Sequence, residues 1–276
     1  MGGRPRRAAR PGLSSARQAR STAARGLGGD QVEGRHAVRE LLAARTRKAR
    51  EVWIAEGTDP SAALREITEL ATAARVPVRW VGRGQLEHAA RTDAPQGVLA
   101  RAEPLREVEL ESLTQGRPDG PPPFLLVLDG VTDPHNLGAL LRTAVSAGAT
   151  GAVVPRHRAA HVTPTVAKAA AGAIEHLPLA VVSGIPSALG VLSRHGVWSV
   201  GLAGDGDRSV FDLDLADQPV ALVLGAEGKG LGRLTRERCD VVASIPLFGP
   251  LDSLNVAAAG AIASFEFARR RALRGV

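Results

Sequence analysis

The chain has 276 residues, and its 35 Lys and Arg against 28 Asp and Glu give a formal charge of +7. Its 44% hydrophobic and 23% charged residues are typical of a globular protein and exclude disorder over the whole length. The single cysteine, Cys239, excludes an intrachain disulfide and a cysteine-rich zinc site, and no apolar run is long enough to span a membrane. We therefore expect a cytoplasmic protein with no membrane partner.

Residues 1–29 are predicted to form a disordered basic tail. They hold seven arginines and no acidic residue, and they lack hydrophobic periodicity. Without the charge of this tail, residues 30–276 are formally neutral. The tail could tether a phosphate backbone, act as a targeting segment or be inert, and its composition does not decide between these roles.

Residues 30–102 are predicted to form a small α/β domain. Apolar residues from Val32 to Leu42 fall at helical spacing, and the run EVWIA over 51–55 indicates a strand. The pattern then continues with a helix over 62–74, a strand over 78–81, a short helix near 85–90 and an apolar run over 97–100. Residues 103–123 form a polar, proline-rich segment that is typical of a stiff interdomain linker.

Strand and helix signals alternate over residues 124–276. The strands are nearly continuous apolar runs, which predicts a doubly wound α/β fold, a mainly parallel sheet with helices on both faces. The strand runs begin at Phe124, Gly151, Leu177, Val197, Val220 and Val241, and the longest helix is predicted over 253–271. Ligands in such folds bind beside the loops that leave the carboxyl ends of strands, so three of these loops are candidate sites.

The first candidate loop opens the helix DPHNLGALLRT. Asp133 is a suitable N-cap and Pro134 a suitable first helical residue, so both have a structural explanation. Asn136 and Arg142 project about 120° apart on an ideal helix. They could reach one pocket if Asn136 lies in an irregular first turn.

The second candidate loop is LVLGAEGKGL, with glycines at 225, 228 and 230. Glycine after a strand permits positive φ and a close approach of the backbone to a ligand. The spacing matches neither a Walker A loop nor the dinucleotide fingerprint, which disfavours a phosphate cradle. Glu227 is either a solvated turn residue or a carboxylate aimed into a site, and residue type alone favours the first.

The third candidate loop is IPLFGPLDSLNV. A strand ends at Ile245 to Leu247, a sharp turn follows, and Ser253 and Asn255 open a helix. Ser253 is either a functional residue or a helix cap, and the cap is the more common role for a serine at this position. The helix is rich in small residues over 257–261, which allows close packing within the chain or across a dimer.

Together, and in this order on an alternating α/β pattern, the three runs resemble the SpoU (TrmH-like) family of RNA ribose 2'-O-methyltransferases. The resemblance covers residues 124–272. VEGRHAVRELL from Val32 and APQGVLA from Ala94 are similar to the opening and closing of the family's small ribosomal-protein-like substrate-binding domain. This pairing is similar to the branch that methylates a guanosine of 23S rRNA.

The resemblance implies a C-terminal trefoil knot and a homodimer with the knot and the final helix at its interface. It implies S-adenosylmethionine as the methyl donor and no metal. The matching cofactor positions are Gly225, Ile245, Leu247 and Leu254, with Ser253 and Asn255 nearby. The cofactor would be held largely through backbone groups, since glycine, isoleucine and leucine have no polar side chains.

The resemblance also implies catalytic roles. Arg142 would contact the RNA phosphate and is the proton acceptor proposed for the family, although a guanidinium with a pKa above ~12 is hard to deprotonate. It leaves open whether Arg142 serves its own or the partner's cofactor site. Asn136, Glu227, Ser253 and Asn255 would position the substrate and the loops. Ala257 and Ala258 depart from relatives, which often carry a hydroxyl residue there.

These observations favour methylation of a ribose 2'-hydroxyl in RNA, with a guanosine of 23S rRNA as the target. One alternative is a tRNA or resistance-type rRNA 2'-O-methyltransferase. The front domain favours rRNA, because the tRNA members of the family commonly lack it. Another alternative is a non-catalytic RNA-binding ribosome-assembly factor, which the intact set of predicted site residues disfavours.

Overall fold

The computed structural model describes residues 27–116, 120–157 and 162–275. Residues 1–26, which hold most of the predicted basic tail, lie outside the described residues. The described chain forms a four-stranded sheet in its front part and a seven-stranded sheet in its C-terminal part. Within these residues, no helix has the length and apolar character needed to cross a membrane.

The front domain alternates strands and helices. It contains β1 (Gln31–Glu33), α1 (Arg35–Ala44), β2 (Ala49–Ala55), α2 (Ala62–Ala73), β3 (Val78–Val81), α3 (Arg83–Ala89) and β4 (Val98–Ala102). The strand order is β1-β4-β2-β3, and β2 and β3 form its parallel pair. Val38, Leu41 and Ile67 of α1 and α2 are buried in one core cluster of this domain. Leu86 of α3 belongs to a second, smaller cluster.

The first helix begins later than its apolar spacing predicts. Val32 lies in β1, opposite Ala100 of β4, and α1 starts at Arg35. Gly34 separates the two elements with a φ of 94°, a conformation that favours glycine. Val32 fits the helical spacing because it is buried in the same cluster as Val38, although it reaches that cluster from a strand.

The C-terminal domain is a parallel sheet with helices on both faces. Its elements are β5 (Phe124–Asp129), α4 (Pro134–Ser146), β6 (Gly151–Pro155), α5 (Pro164–Ala169), β7 (Leu179–Val182), α6 (Ile185–Arg194), β8 (Trp198–Leu202), β9 (Arg208–Ser209), β10 (Val220–Gly225), α7 (Arg233–Arg238), β11 (Val241–Ser244) and α8 (Val256–Arg274). The order is β7-β6-β5-β10-β8-β11-β9, and each pairing is parallel. The predicted α/β class with a mainly parallel sheet is confirmed.

Side chains alternate between two cores along the central strand β5. Leu126 and Leu128 pack with Leu140 of α4 and Phe267 of α8, whereas Leu125 and other residues on the opposite face pack with α6. This is the pattern expected of a strand that is covered on both faces. The sheet therefore holds α4 and α8 together on the same side.

The small residues of α8 pack within the chain. A Cβ added at Gly260 would lie 2.3 Å from Leu140 Cδ2 and 2.8 Å from Leu224 Cδ1. Gly260 therefore lets α8 approach α4 and β10 closely. The helix itself spans Val256–Arg274, so it begins and ends three residues later than predicted.

Two segments that were predicted to lie outside the domains pack against them. Leu27 is buried, and Gly29 N donates to Val162 O at 2.9 Å, so the fold begins before residue 30. Within the predicted linker, a 3₁₀-helix over Leu110–Thr114 buries Leu110 and Leu113 in the core cluster that contains α6. A few isolated leucines anchor these segments. The tail and the linker were predicted from average composition, which is insensitive to single apolar residues.

Candidate active site

The three predicted loops converge at one edge of the large sheet. β5 and β10 are adjacent and parallel, so the loops that follow them emerge side by side. The third loop, residues 245–255, follows β11 and leads into α8. Because α8 packs against α4, the start of α8 is brought next to the start of α4.

Asn136, Glu227 and Asn255, one residue from each loop region, form a hydrogen-bonded network. Asn136 Nδ2 donates to Glu227 Oε2 at 3.0 Å. Asn255 Nδ2 donates to Asn136 Oδ1 at 3.1 Å and to Glu227 Oε1 at 3.4 Å. The carboxylate of Glu227 thus accepts from both amides, which joins loops up to 119 residues apart in the chain.

Helix capping explains why two of these residues occupy their positions. Asp133 caps α4 by accepting from Asn136 N at 2.8 Å, which places Asn136 in the first turn of a regular helix. Asn255 caps α8 by accepting from Ala257 N at 2.8 Å. The capping role considered for Ser253 therefore belongs to Asn255, because α8 begins only at Val256.

A cleft of about 810 Å³ lies between the second and third loops. Its lining includes the six residues predicted to bind the cofactor: Gly225, Ile245, Leu247, Ser253, Leu254 and Asn255. The side chains of Leu247 and Leu254 are partly exposed, at 38% and 41% of their full surface. The cleft therefore presents apolar side chains together with backbone polar groups.

The glycine loop is closed by backbone contacts. Ala226 and Gly230 exchange hydrogen bonds, with Ala226 N donating at 3.0 Å and Gly230 N at 2.8 Å. A Cβ added at Gly225 would lie 2.1 Å from the carbonyl carbon of Gly230, which leaves no space for any larger residue. Gly228 and Gly230 have φ values of 74° and 64°. Glycine is needed at position 225 because the backbone of Gly230 lies so close, and at positions 228 and 230 because φ is positive.

Arg142 lies outside this arrangement. It is exposed on α4 and does not line the cleft. Among residues 27–116, 120–157 and 162–275, its side chain has no hydrogen-bond or ion-pair partner. The structure therefore brings together Asn136, Glu227, Ser253 and Asn255 at or beside the cleft and leaves Arg142 apart from it within one chain.

Two further contacts at this edge were not predicted. Arg236 of α7 pairs with Asp205 at 2.6 Å, and both line the cleft. The hydrogen bond from Arg236 lowers the pKa of the Asp205 carboxyl. Asp129, at the end of β5, accepts from Gly232 N at 3.0 Å and so joins the first and second loops. The run GDGD, which follows β8, could have marked Asp205 as a candidate loop residue at the carboxyl end of that strand.

Cys239 is separate from the candidate site. Burial raises the pKa of its thiol to about 12, so it is not a ready nucleophile at neutral pH. In the described part of the chain, no group of three or more His, Cys, Asp and Glu side chains is arranged to hold a metal ion.

Comparison with known proteins shows the family of the chain. Residues 123–265 match the SpoU rRNA Methylase family, and residues 31–108 match the family described as RNA 2'-O ribose methyltransferase substrate binding. The 23S rRNA (guanosine-2'-O-)-methyltransferase RlmB of Pseudomonas aeruginosa is 44% identical over 246 residues, covering 88% of this chain and 97% of the relative. The putative TrmH family tRNA/rRNA methyltransferase YacO of Bacillus subtilis is 38% identical over 243 residues, covering 88% and 96%.

A solved structure shares the fold over most of the chain. The SpoU methyltransferase AviRb from Streptomyces viridochromogenes, in complex with the cofactor AdoMet, has a TM-score of 0.73 at 26% identity and covers 88% of this chain and 90% of its own. The family predicted from the three loops is thereby confirmed. The chain belongs to the SpoU rRNA methylase family.

Proposed function

We propose that this protein transfers a methyl group from S-adenosylmethionine to the ribose 2'-hydroxyl of a guanosine in 23S rRNA. The observation that carries the proposal is the network of Asn136, Glu227 and Asn255 beside the 810 Å³ cleft. The printed activity of the Pseudomonas aeruginosa relative supports the choice of nucleotide and RNA. A site of action in the cytoplasm follows from an rRNA substrate.

The cleft fits the proposed cofactor. The backbone N–H and C=O groups of Gly225, Ile245, Leu247 and Leu254 would hold it, while the leucine side chains offer apolar contact. Ser253 and Asn255 add polar side chains at the same wall. When bound, S-adenosylmethionine would supply a methyl group on a sulfonium, whose sulfur leaves as a neutral thioether while the 2'-hydroxyl loses its proton, so the proposed reaction calls for no metal.

The residues around the cleft would act mainly by positioning. The amides of Asn136 and Asn255 hold the Glu227 carboxylate, and this fixes the second loop relative to α4 and α8. Aligning a ribose hydroxyl with the reacting methyl group lowers the barrier without covalent catalysis. We assign Arg142 to the RNA phosphate, because a guanidinium binds phosphate strongly and gives up its proton only above pH ~12.

A homodimer would bring Arg142 to a cleft. Ile262 and Phe265 project from α8 with 37% and 50% of their surface exposed, and Phe248 and Leu251 of the third loop are 98% and 75% exposed. Such apolar surface favours burial against a second copy of the chain. Within that dimer, Arg142 of one subunit would serve the cofactor site of its partner. The third loop and α8 would form the trefoil knot.

Methyl transfer to 23S rRNA with radiolabelled S-adenosylmethionine tests the proposal. We expect Arg142→Ala to lower transfer by about 100-fold or more, as expected for a lost positioning contact. Cofactor binding, measured by calorimetry, should persist, since Arg142 lies outside the cleft. Arg194→Ala, which removes an exposed arginine of α6, is the matched control and should retain activity.

Mapping 2'-O-methylation in cells with and without the protein identifies the target. A single 23S guanosine that loses its methyl group would support the proposal. A target in tRNA or elsewhere in rRNA would overturn the assigned substrate. RNA binding without any methyl transfer would support an assembly factor instead.

A further inference from the structure

A buried ion pair joins the front domain to the C-terminal domain. Arg47 precedes β2, and Glu175 ends a 3₁₀-helix over Ala173–Glu175 that follows α5. Arg47 Nε lies 2.8 Å from Glu175 Oε2, and Arg47 Nη2 lies 2.5 Å from Glu175 Oε1. The two side chains are 2% and 1% exposed. The pair is therefore bidentate and almost fully shielded from water.

The same guanidinium also holds the chain segments on both sides of the front domain. Arg47 Nη1 donates to the carbonyl oxygens of Gly29 and Glu103, which lie at the entry to and the exit from the front domain. These segments are themselves paired, because Leu105 N donates to Gly28 O at 2.9 Å. One side chain thus fixes three parts of the molecule relative to one another.

The docking region adjoins the helix that carries site residues. Both α5 and the 3₁₀-helix of Glu175 contact α4 and α1. A Cβ added at Gly138 of α4 would lie 2.4 Å from Ala169 Cβ, so α4 and α5 are in close contact. Asn136 and Arg142 belong to this α4. The front domain is consequently anchored one packed layer away from the predicted catalytic residues.

We infer that the Arg47–Glu175 pair is a positioning device, which holds the front domain in one orientation so that RNA bound there meets the active site. The inference rests on the proposed function. Burying two charges costs desolvation free energy, and an apolar pair of similar volume often stabilises a fold equally well. A bidentate ion pair adds direction, because its two parallel hydrogen bonds define the relative orientation of the partners.

Loss of this orientation should lower the affinity for RNA more than the affinity for the cofactor. A docked front domain presents its RNA-binding surface at a fixed distance from Arg142, so the second RNA contact is made at high effective concentration. Without the ion pair, the front domain would be held by the contacts of α1 with α5 and the 3₁₀-helix and by the Glu40–His176 contact at its surface. We expect these to allow a wider range of orientations and so to lower that concentration. The cofactor cleft lies wholly within the C-terminal domain, so its affinity should not change.

Kinetics of Glu175→Gln with full-length 23S rRNA test the inference. We expect the KM for RNA to rise about tenfold, which corresponds to about 1.4 kcal/mol. The KM for S-adenosylmethionine and the kcat at saturating RNA should stay within about twofold of wild type, because the cleft is untouched. Glu237→Gln, which removes one partner of the exposed pair with Arg233, is the matched control and should leave the KM for RNA unchanged.

A distance measurement tests docking without turnover. Spin labels on Glu69→Cys and Ser193→Cys, both exposed, would report the separation of the domains. The Cys239 thiol is half-buried and its pKa is raised to about 12, so we expect it to react far more slowly with the label than the two exposed cysteines. We expect one narrow distance distribution in the otherwise wild-type chain and a broad one with Glu175→Gln. If that variant does not fold, the double variant Arg47→Met, Glu175→Met removes both charges and should give the same broadening.

An unchanged distance distribution and an unchanged KM for RNA in these variants would overturn the inference. So would a broad distribution in the chain with Arg47 and Glu175 intact. Absence of methyl transfer by the wild-type protein would instead contradict the proposed function, and the distance measurement would still report whether the domains dock.

Discussion

Asn255 combines two roles in one side chain. Its Oδ1 accepts from Ala257 N and caps α8, while its Nδ2 donates to Asn136 and Glu227. The first role contributes to folding, since a helix cap is worth about 1 kcal/mol. The second role holds the candidate site together. An asparagine supplies both an acceptor and a donor, and aspartate supplies only the acceptor.

Substitutions at Asn255 should separate these roles. Asn255→Asp keeps a carboxylate oxygen for the cap but loses the donor and places a negative charge beside Glu227. We expect its unfolding free energy to stay within about 0.5 kcal/mol of wild type, while methyl transfer falls by about 100-fold. Asn255→Ala should lose both transfer and about 1 kcal/mol of stability. Urea unfolding and radiolabel transfer measure the two effects, and an active Asn255→Asp variant would contradict the role of the network.

At the scale of elements, the glycine loop shows two different reasons for glycine. Gly225 has no room for a Cβ, because the carbonyl carbon of Gly230 would lie 2.1 Å away. Gly228 has free space around it but a φ of 74°. A side chain at position 225 must displace the loop backbone, whereas one at position 228 only strains its own backbone.

We expect Gly225→Ala to abolish measurable binding of S-adenosylmethionine, because the displaced loop forms one wall of the cleft. Gly228→Ala is the matched control. It should cost about 1 kcal/mol of stability from its left-handed conformation and retain cofactor binding. Calorimetric titration with S-adenosylmethionine measures both variants. Equal affinities in the two would show that the loop tolerates a Cβ at either position.

At the scale of the whole molecule, one chain does not assemble every predicted site residue. Arg142 is exposed on α4 and lies outside the cleft that contains the cofactor residues. The exposed apolar side chains of Ile262 and Phe265 offer a surface for a second subunit. In a symmetric dimer, the same contact is made twice, so each cleft would receive Arg142 from the other subunit.

Mixing two inactive variants tests this arrangement. We expect dimers reassembled from equal amounts of Arg142→Ala and Gly225→Ala chains to regain about a quarter of wild-type methyl transfer. Half of the dimers are then mixed, and each mixed dimer holds one complete site. Each variant alone should stay inactive. Recovery of no activity, with mixed dimers verified by two affinity tags, would place Arg142 in the site of its own chain.

Local sequence patterns were enough to predict the alternating elements, the mainly parallel sheet and the three loops, because apolar periodicity and turn residues act over a few neighbouring positions. The family resemblance of these loops also marked Asn136, Glu227 and Asn255, although local patterns offered a helix cap as the explanation of Asn136 and a solvated turn as that of Glu227. The contact between these three side chains is visible only in the folded chain. Their hydrogen bonds join positions 28 to 119 residues apart, and local patterns carry no signal for such pairs.

Tertiary packing likewise decided where the domains begin and how they are joined. Val32 lies in a strand and not in the predicted helix, because β1 pairs with β4. Leu27, Leu110 and Leu113 are buried in the core although their segments have a polar composition. The Arg47–Glu175 pair spans 128 residues and has no local signature in either segment. Periodicity is a property of neighbouring residues, whereas docking depends on which surfaces the folded chain brings together.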